Sequence, residues 1–183
     1  AGLRRILDAE MKDVHATGIR NTTAEKEPVS DDEEERMWQA GLLGDKTAKS
    51  LIHTVYFYNG KLFGMRSQEH RQLRIDDITI ENKNTIVYRE NTSKTFHGGI
   101  VDMKKMGRVV KHVCHKDESN NHERCLIKIY RRYFGLVSKL RVNVRANGFY
   151  FQAFDDPKRF ELKNCVVGIH SLNGILPSLC AAI

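Results

Sequence analysis

The sequence has no apolar run long enough to cross a membrane, which would need about 20 consecutive apolar residues. Charged residues recur from Arg4 to Asp13, so the N-terminal segment is not a secretory signal either. We therefore expect no membrane partner. The sequence also contains no internal repeat and no low-complexity tract. It lacks an RNP-type aromatic strand motif, which argues against RNA recognition by that route.

Cysteine is scarce, with four residues at positions 114, 125, 165 and 180. Their wide separation favours reduced thiols, as in the cytosol or nucleus, over a disulfide framework. Cys114 and Cys125 lie near His112, His115 and His122, which could suggest zinc. The spacing matches neither a CxxC nor an HxxxH finger, and His112 and Cys114 alternate on a predicted strand. We therefore predict no metal site.

Positive charge is in excess, and the excess is local. The net charge is +7 and the pI is about 9.3, which favours an acidic partner such as nucleic acid or an anionic membrane surface. The plainer alternative is a soluble protein that is simply basic. Residues 101–147 contain twelve Lys and Arg against four acids, whereas acids dominate residues 25–35. Apolar residues make up 40% of the chain, enough for a real core.

Hydrophobic periodicity predicts an α+β fold that is mainly helical, with a small antiparallel sheet between two groups of helices. We expect a helix in residues 1–20, a linker over 21–30 and one domain over 31–183. In that domain Ser30 and Glu33 form a predicted capping box. The further predicted helices are Lys46–Tyr58 with Asp45 as N-cap, a short helix within Phe63–Leu73, Glu123–Val137 and Ser171–Ile183. The predicted strands are Ile78–Glu81, Thr85–Arg89 and Arg108–Cys114.

The most informative run is Phe63-Gly64-Met65-Arg66-Ser67-Gln68-Glu69, followed by Leu73. A predicted buried helix precedes it and a predicted strand follows it. The run resembles the arginine box of tyrosine recombinases: a small residue, an apolar residue, Arg, two residues, Glu, then an apolar residue. Together with Phe57-Tyr58-Asn59-Gly60 and Glu69-His70-Arg71-Gln72-Leu73, it more narrowly resembles Crypton-type recombinases and the related C-terminal domains of MYM-type zinc-finger proteins.

Further runs resemble the same family in the same order. Val87–Thr95 contains Ser93-Lys94-Thr95 between two predicted strands, and His122–Tyr133 resembles the helix that follows the hairpin. Phe149–Gln152 and Val166–Ile169 resemble later segments. The resemblance covers about Leu3–Ile183, nearly the whole chain.

The resemblance implies the N-terminal part of a tyrosine-recombinase (integrase-like) catalytic core, truncated, with double-stranded DNA as partner and no small-molecule cofactor. Arg66 would bind the scissile phosphate, since a guanidinium matches its oxygens with two parallel donors. Glu69 would be structural, and Lys94 would protonate the departing 5′ oxygen. The residues expected to hold the DNA backbone are Arg71, Lys128, Arg131, Arg132, Lys139 and Arg141.

The cleavage chemistry of the family also needs a His-x-x-Arg box and a nucleophilic Tyr, and neither is found. His170-Ser171-Leu172-Asn173 has Asn where Arg is required, and Tyr130 and Tyr133 lie too early in the chain. Ala1 and Ile183 both look like cuts through a longer protein. We therefore expect this chain to be inactive by itself.

Alternatives stay open for the parent protein and for Arg66. The parent is either a nuclear Crypton-like recombinase that assembles as a homo-oligomer on DNA, or a domesticated nuclear module that binds DNA or protein without catalysis. A third, weaker interpretation is a basic scaffold for RNA or protein. For Arg66, the alternative is a surface arginine that forms a local salt bridge with Glu69.

Overall fold

The computed structural model describes residues 2–16, 27–91, 107–114 and 124–183. It divides into two compact units, residues 1–30 and residues 31–183. In the first unit, α1 spans Gly2–Ala16. Leu3, Ile6, Leu7 and Met11 recur at helical spacing, so they share one face of α1.

The second unit mixes helices with two small antiparallel sheets and is mainly helical in its described part. This confirms the predicted α+β class. Its helices are α2 (Asp31–Gln39), α3 (Ala48–Phe63), α4 (Ser67–Gln72), α5 (Leu126–Val137), α6 (Val142–Arg145) and α7 (Ile169–Ala181), with a 3-10 turn over Ile75–Asp77. Its strands are β1 (Ile78–Glu81), β2 (Thr85–Arg89), β3 (Val109–Val113), β4 (Phe151–Ala153) and β5 (Leu162–Val166).

The first sheet has the order β1-β2-β3, with β2 in the centre. Both β1 and β2 have the predicted bounds, because alternating apolar residues flank a turn of residues that accept a left-handed backbone. In that turn Asn82 and Lys83 have φ values of 50° and 66°. Thr85 pairs with Val113 and Arg89 with Val109, so the β1–β2 turn and the β2–β3 connection leave the sheet at opposite ends.

Several predicted boundaries were wrong. The N-cap of α3 is Thr47 instead of Asp45: the Thr47 and Ser50 side chains form a capping box, and the Asp45 carboxylate pairs with Arg132 instead. Helix α5 begins at Leu126 and α7 at Ile169. Helix α6 and the second sheet, in which β4 pairs with β5, were not predicted.

The core of the second unit lies between α3, α5 and the segment that enters β4. Leu51 and Val55 of α3 are fully buried, as is Ile129 of α5. Phe149 and Phe151 are also buried, and the hydroxyl of Tyr133 donates to the carbonyl of Phe149.

A chain of buried hydrogen bonds crosses this core and centres on Asn59 of α3. The Tyr130 hydroxyl donates to Asn59 Oδ1 at 2.5 Å, and Asn59 Nδ2 donates to the Tyr150 oxygen at 2.7 Å. The Tyr150 hydroxyl is then left to donate to His70 Nδ1, 2.7 Å away. Accordingly His70 is neutral with its proton on Nε2, and burial lowers the pKa of His70 to about 4.

Buried histidine makes stability depend on pH. Burial also lowers the pKa of His53 to about 4, with a smaller contribution from nearby Lys49. In the unfolded chain both imidazoles take up protons near pH 6.5. Their contribution to stability is therefore fully present above that pH and is lost as the pH falls toward 4. The limiting slope is about 1.4 kcal/mol per pH unit for each histidine.

We predict that His70→Gln flattens this dependence, because glutamine can accept from Tyr150 but does not titrate. The free energy of urea unfolding, measured from pH 7 to pH 4.5, should fall less steeply in the variant than in the wild type. His53→Gln serves as the matched variant for the second histidine. Parallel curves for wild type and His70→Gln would contradict the assignment of His70 as a buried neutral group.

Candidate functional site

Arg66 lies at the junction between α3 and α4. Helix α3 ends at Phe63, and Gly64 takes the left-handed C-cap conformation (φ 61°, ψ 36°), with its N–H donating to the Gly60 carbonyl at 3.0 Å. Met65 is buried and anchors the turn. Arg66 is then the extended N-cap residue of α4, and its side chain is exposed. Gly64 and Met65 therefore position Arg66 with its side chain at the surface.

Glu69 holds the backbone of Arg66 in place. Its side chain is only 6% exposed, and its Oε2 accepts a hydrogen bond from the Arg66 backbone N–H at 3.1 Å. Glu69 thus caps the first turn of α4. Within the described part of the chain, the Arg66 guanidinium has no carboxylate at ion-pair distance, so the alternative of a local Arg66–Glu69 salt bridge is not what the structure contains.

Arg108 reaches the same carboxylate from the sheet. Its Nη2 lies 3.8 Å from Glu69 Oε2 and 4.0 Å from Glu90 Oε1, and its guanidinium carbon lies 5.8 Å from the centre of the Tyr88 ring. The backbones of Glu90 and Arg108 are also joined, because the Glu90 N–H donates to the Arg108 carbonyl at 2.9 Å. Arg108 was predicted only as the start of a strand and not as a site residue.

Lys94 lies outside the described residues, in the connection between β2 and β3. The described ends of that connection, Glu90 and Arg108, lie at the end of the sheet nearest Glu69.

The other predicted DNA-binding residues are exposed, but some already have partners. Lys128, Arg131 and Arg132 share one face of α5. Arg131 Nη2 donates to the Lys83 carbonyl at 3.0 Å, and Arg132 Nη1 lies 2.8 Å from Asp45 Oδ2. The remaining exposed residues are Lys139 and Arg141, which precede α6, and Arg71 in α4.

The cations of α5 do not form a single cluster with Arg66. Arg131 contacts the β1–β2 turn, whereas Glu69 and Arg108 meet at the opposite end of β2. Strand β2 has five residues, and such a strand is about 17 Å long. The exposed face of α5 and the Arg66 site are therefore separated by about one strand length.

All six tyrosines of the chain are buried. Tyr130 and Tyr133 are fully buried on α5, and burial raises the pKa of both hydroxyls. A hydroxyl that is inaccessible and hard to ionise cannot attack a phosphate on a bound polymer. Neither Tyr130 nor Tyr133 therefore has the position of a nucleophile.

No metal centre or membrane span is found in the part of the chain that the structure describes. No three His, Cys, Asp or Glu side chains converge there as metal ligands. None of the described helices combines the length and the apolar character needed to cross a bilayer. The four cysteines are free thiols.

Comparison with known proteins identifies a family but no activity. The family model described as "Domain of unknown function (DUF3504)" matches residues 28–178, which include every residue of the site. Two curated proteins are similar: "Uncharacterized protein KIAA1958 homolog" of Mus musculus and "Uncharacterized protein KIAA1958" of Homo sapiens. Each is 26% identical over 159 residues, which cover 82% of this chain and 21% of the relative. The chain thus spans about a fifth of the length of these relatives. No solved structure matches it.

The backbone conformation at the α3–α4 junction predicts different effects on stability when alanine replaces Gly64 or Gly60. Gly64→Ala should lower the free energy of unfolding by about 1–2 kcal/mol, because a Cβ strains the left-handed backbone. Gly60→Ala is the matched control: Gly60 lies within α3, and a Cβ there would meet His70 Nε2 at an ordinary 3.6 Å. Alanine at Gly60 should leave the free energy unchanged or raise it by up to about 1 kcal/mol. Urea titration of both variants checks the difference, and equal effects would contradict it.

Proposed function

This chain belongs to the DUF3504 family, and we propose that its domain over residues 31–183 binds the phosphate backbone of double-stranded DNA through Arg66. The observation that carries the proposal is the state of Arg66. Its guanidinium is exposed and has no ion-pair partner in the described part of the chain, while its backbone is held by the buried Glu69. A guanidinium in this state can give two parallel charge-assisted hydrogen bonds to one phosphate.

The distribution of charge supports a polymeric ligand over a small one. The chain has a net charge of +7, and exposed cations lie both at the α3–α4 junction and on α5. The two ends of β2 are about 17 Å apart. A ligand that contacts Arg66 and the cations of α5 together must therefore be extended, as a duplex backbone is, and each phosphate contact would release counterions.

We further propose that this domain descends from a Crypton-like tyrosine recombinase. In such an enzyme Arg66 would stabilise the charge on the phosphate oxygens, and Lys94 would protonate the 5′ oxygen that leaves. The attack on phosphorus needs an exposed nucleophile, and the buried tyrosines of this chain supply none. The proposed role of the chain itself is therefore to bind and orient DNA. Location in the nucleus and assembly of several copies on DNA belong to the same proposal.

A domesticated nuclear module that binds protein instead of DNA is the second candidate. What favours it is that Arg131 and Arg132 already have partners within the chain, the Lys83 carbonyl and Asp45. Such interactions lower the number of cations available for phosphate. Measurement of DNA binding distinguishes the two candidates.

We predict that the chain binds a fluorescein-labelled 20-base-pair duplex, measured by fluorescence anisotropy, with an affinity that falls as NaCl rises. Arg66→Ala combined with Lys94→Ala should weaken binding and reduce the slope of log affinity against log salt by about 0.9 for each phosphate that the protein no longer neutralises. Arg159→Ala is the matched control, because Arg159 is an exposed, ion-paired arginine next to the second sheet. An affinity independent of salt, or unaffected by the double substitution, would overturn the proposal.

A further inference from the structure

We infer that Arg108 is a second phosphate-binding residue beside Arg66, so that two arginines from different elements grip one phosphodiester of DNA. The inference rests on the proposed function and adds to it a residue that neither sequence pattern nor family resemblance indicates. It starts from the convergence of both arginines on one carboxylate oxygen. Glu69 Oε2 lies 3.1 Å from the backbone nitrogen of Arg66 and 3.8 Å from Nη2 of Arg108.

Electrostatic attraction to two carboxylates positions the guanidinium of Arg108, and no hydrogen bond to a described residue occupies its N–H donors. Its distances to Glu69 and Glu90, 3.8 and 4.0 Å, are those of ion pairs that are too long for hydrogen bonds. Over the described ranges, its side chain donates no hydrogen bond, although it is within cation–π range of Tyr88. The donors of a positioned guanidinium thus stay available to a ligand.

The surroundings of Arg108 leave space and access for that ligand. The Arg108 side chain is 42% exposed. A Cβ placed on Gly64 would lie 3.8 Å from Arg108 Nη1, so this nitrogen lies next to a residue without a side chain, two positions before Arg66. A phosphate at this junction would meet guanidinium donors from α4 and from the start of β3.

Arg108 is the cation at ion-pair distance from both Glu69 and Glu90, and the carboxyl group of Asp77 lies beside Glu69 in the same cluster. Without Arg108, these carboxylates would repel a phosphate at the junction. This raises a competing explanation, in which Arg108 only neutralises the carboxylates and never contacts DNA. A substitution at Glu90 separates the two explanations, since it removes one of those negative charges.

The test measures anisotropy of the same 20-base-pair duplex with Arg108→Gln, Glu90→Gln and the double variant. If Arg108 binds phosphate, Arg108→Gln weakens binding about tenfold or more. Because Arg66 still contacts the same phosphate, the salt slope falls by about 0.9 only when Arg66→Gln and Arg108→Gln are combined. The loss is the same when it is measured in the Glu90→Gln background. Arg159→Gln, which removes a comparable ion-paired arginine stacked on Phe154, should leave affinity nearly unchanged.

Two results would overturn the inference: an Arg108→Gln variant that binds like the wild type, or a loss that disappears in the Glu90→Gln background. Thermal melting confirms that each variant is folded. If Arg108→Gln unfolds, the Arg108→Gln, Glu90→Gln double variant is compared with Glu90→Gln instead, because the double variant removes one charge of each sign. Equal affinity of those two variants would equally count against the inference. If Arg66→Gln weakens binding and Arg108→Gln does not, this inference is wrong and the proposed function stands. If the wild type does not bind DNA, the proposed function itself is wrong.

Discussion

The buried amide of Asn59 is the interaction on which the rest of the domain depends. It accepts a hydrogen bond from Tyr130 of α5 and donates one to Tyr150, which precedes β4. The Tyr150 hydroxyl in turn donates a hydrogen bond to His70 of α4. Each of these polar groups is buried, so a missing partner would leave a desolvated donor or acceptor at a cost of about 1–3 kcal/mol. These hydrogen bonds therefore fix the positions of α3, α4 and α5 relative to one another. The candidate site lies at the N-cap of α4.

Glu69 connects the core to the surface. Its buried carboxylate accepts a hydrogen bond from the backbone N–H of Arg66 and forms an ion pair with Arg108, which precedes β3 of the first sheet. A buried carboxylate needs such partners, because burial disfavours an unpaired charge. The α3–α4 junction and the end of the sheet that bears the β2–β3 connection are therefore held together. The exposed face of α5 lies at the other end of β2, which gives the domain two separate basic regions.

Local signals predicted the elements that depend on local interactions. The bounds of β1 and β2 were correct, because residue alternation and the Asn82–Lys83 turn act over neighbouring residues. The second sheet was missed, since β4 has only three residues and its partner β5 follows a loop. The N-cap of α3 was assigned to Asp45 on residue type alone. That carboxylate in fact serves Arg132, a partner far along the chain.

For the site, the amino-acid order alone predicted Arg66 after a buried helix and Glu69 as a structural residue three positions later. Those features involve neighbours within one turn of helix, so a local pattern contains them. The folded chain was needed to show that Arg108 shares Glu69 with Arg66, that Arg131 and Arg132 have partners within the chain, and that all six tyrosines are buried. Ion pairs and burial depend on which distant segments pack together, and packing is not a property of any single segment.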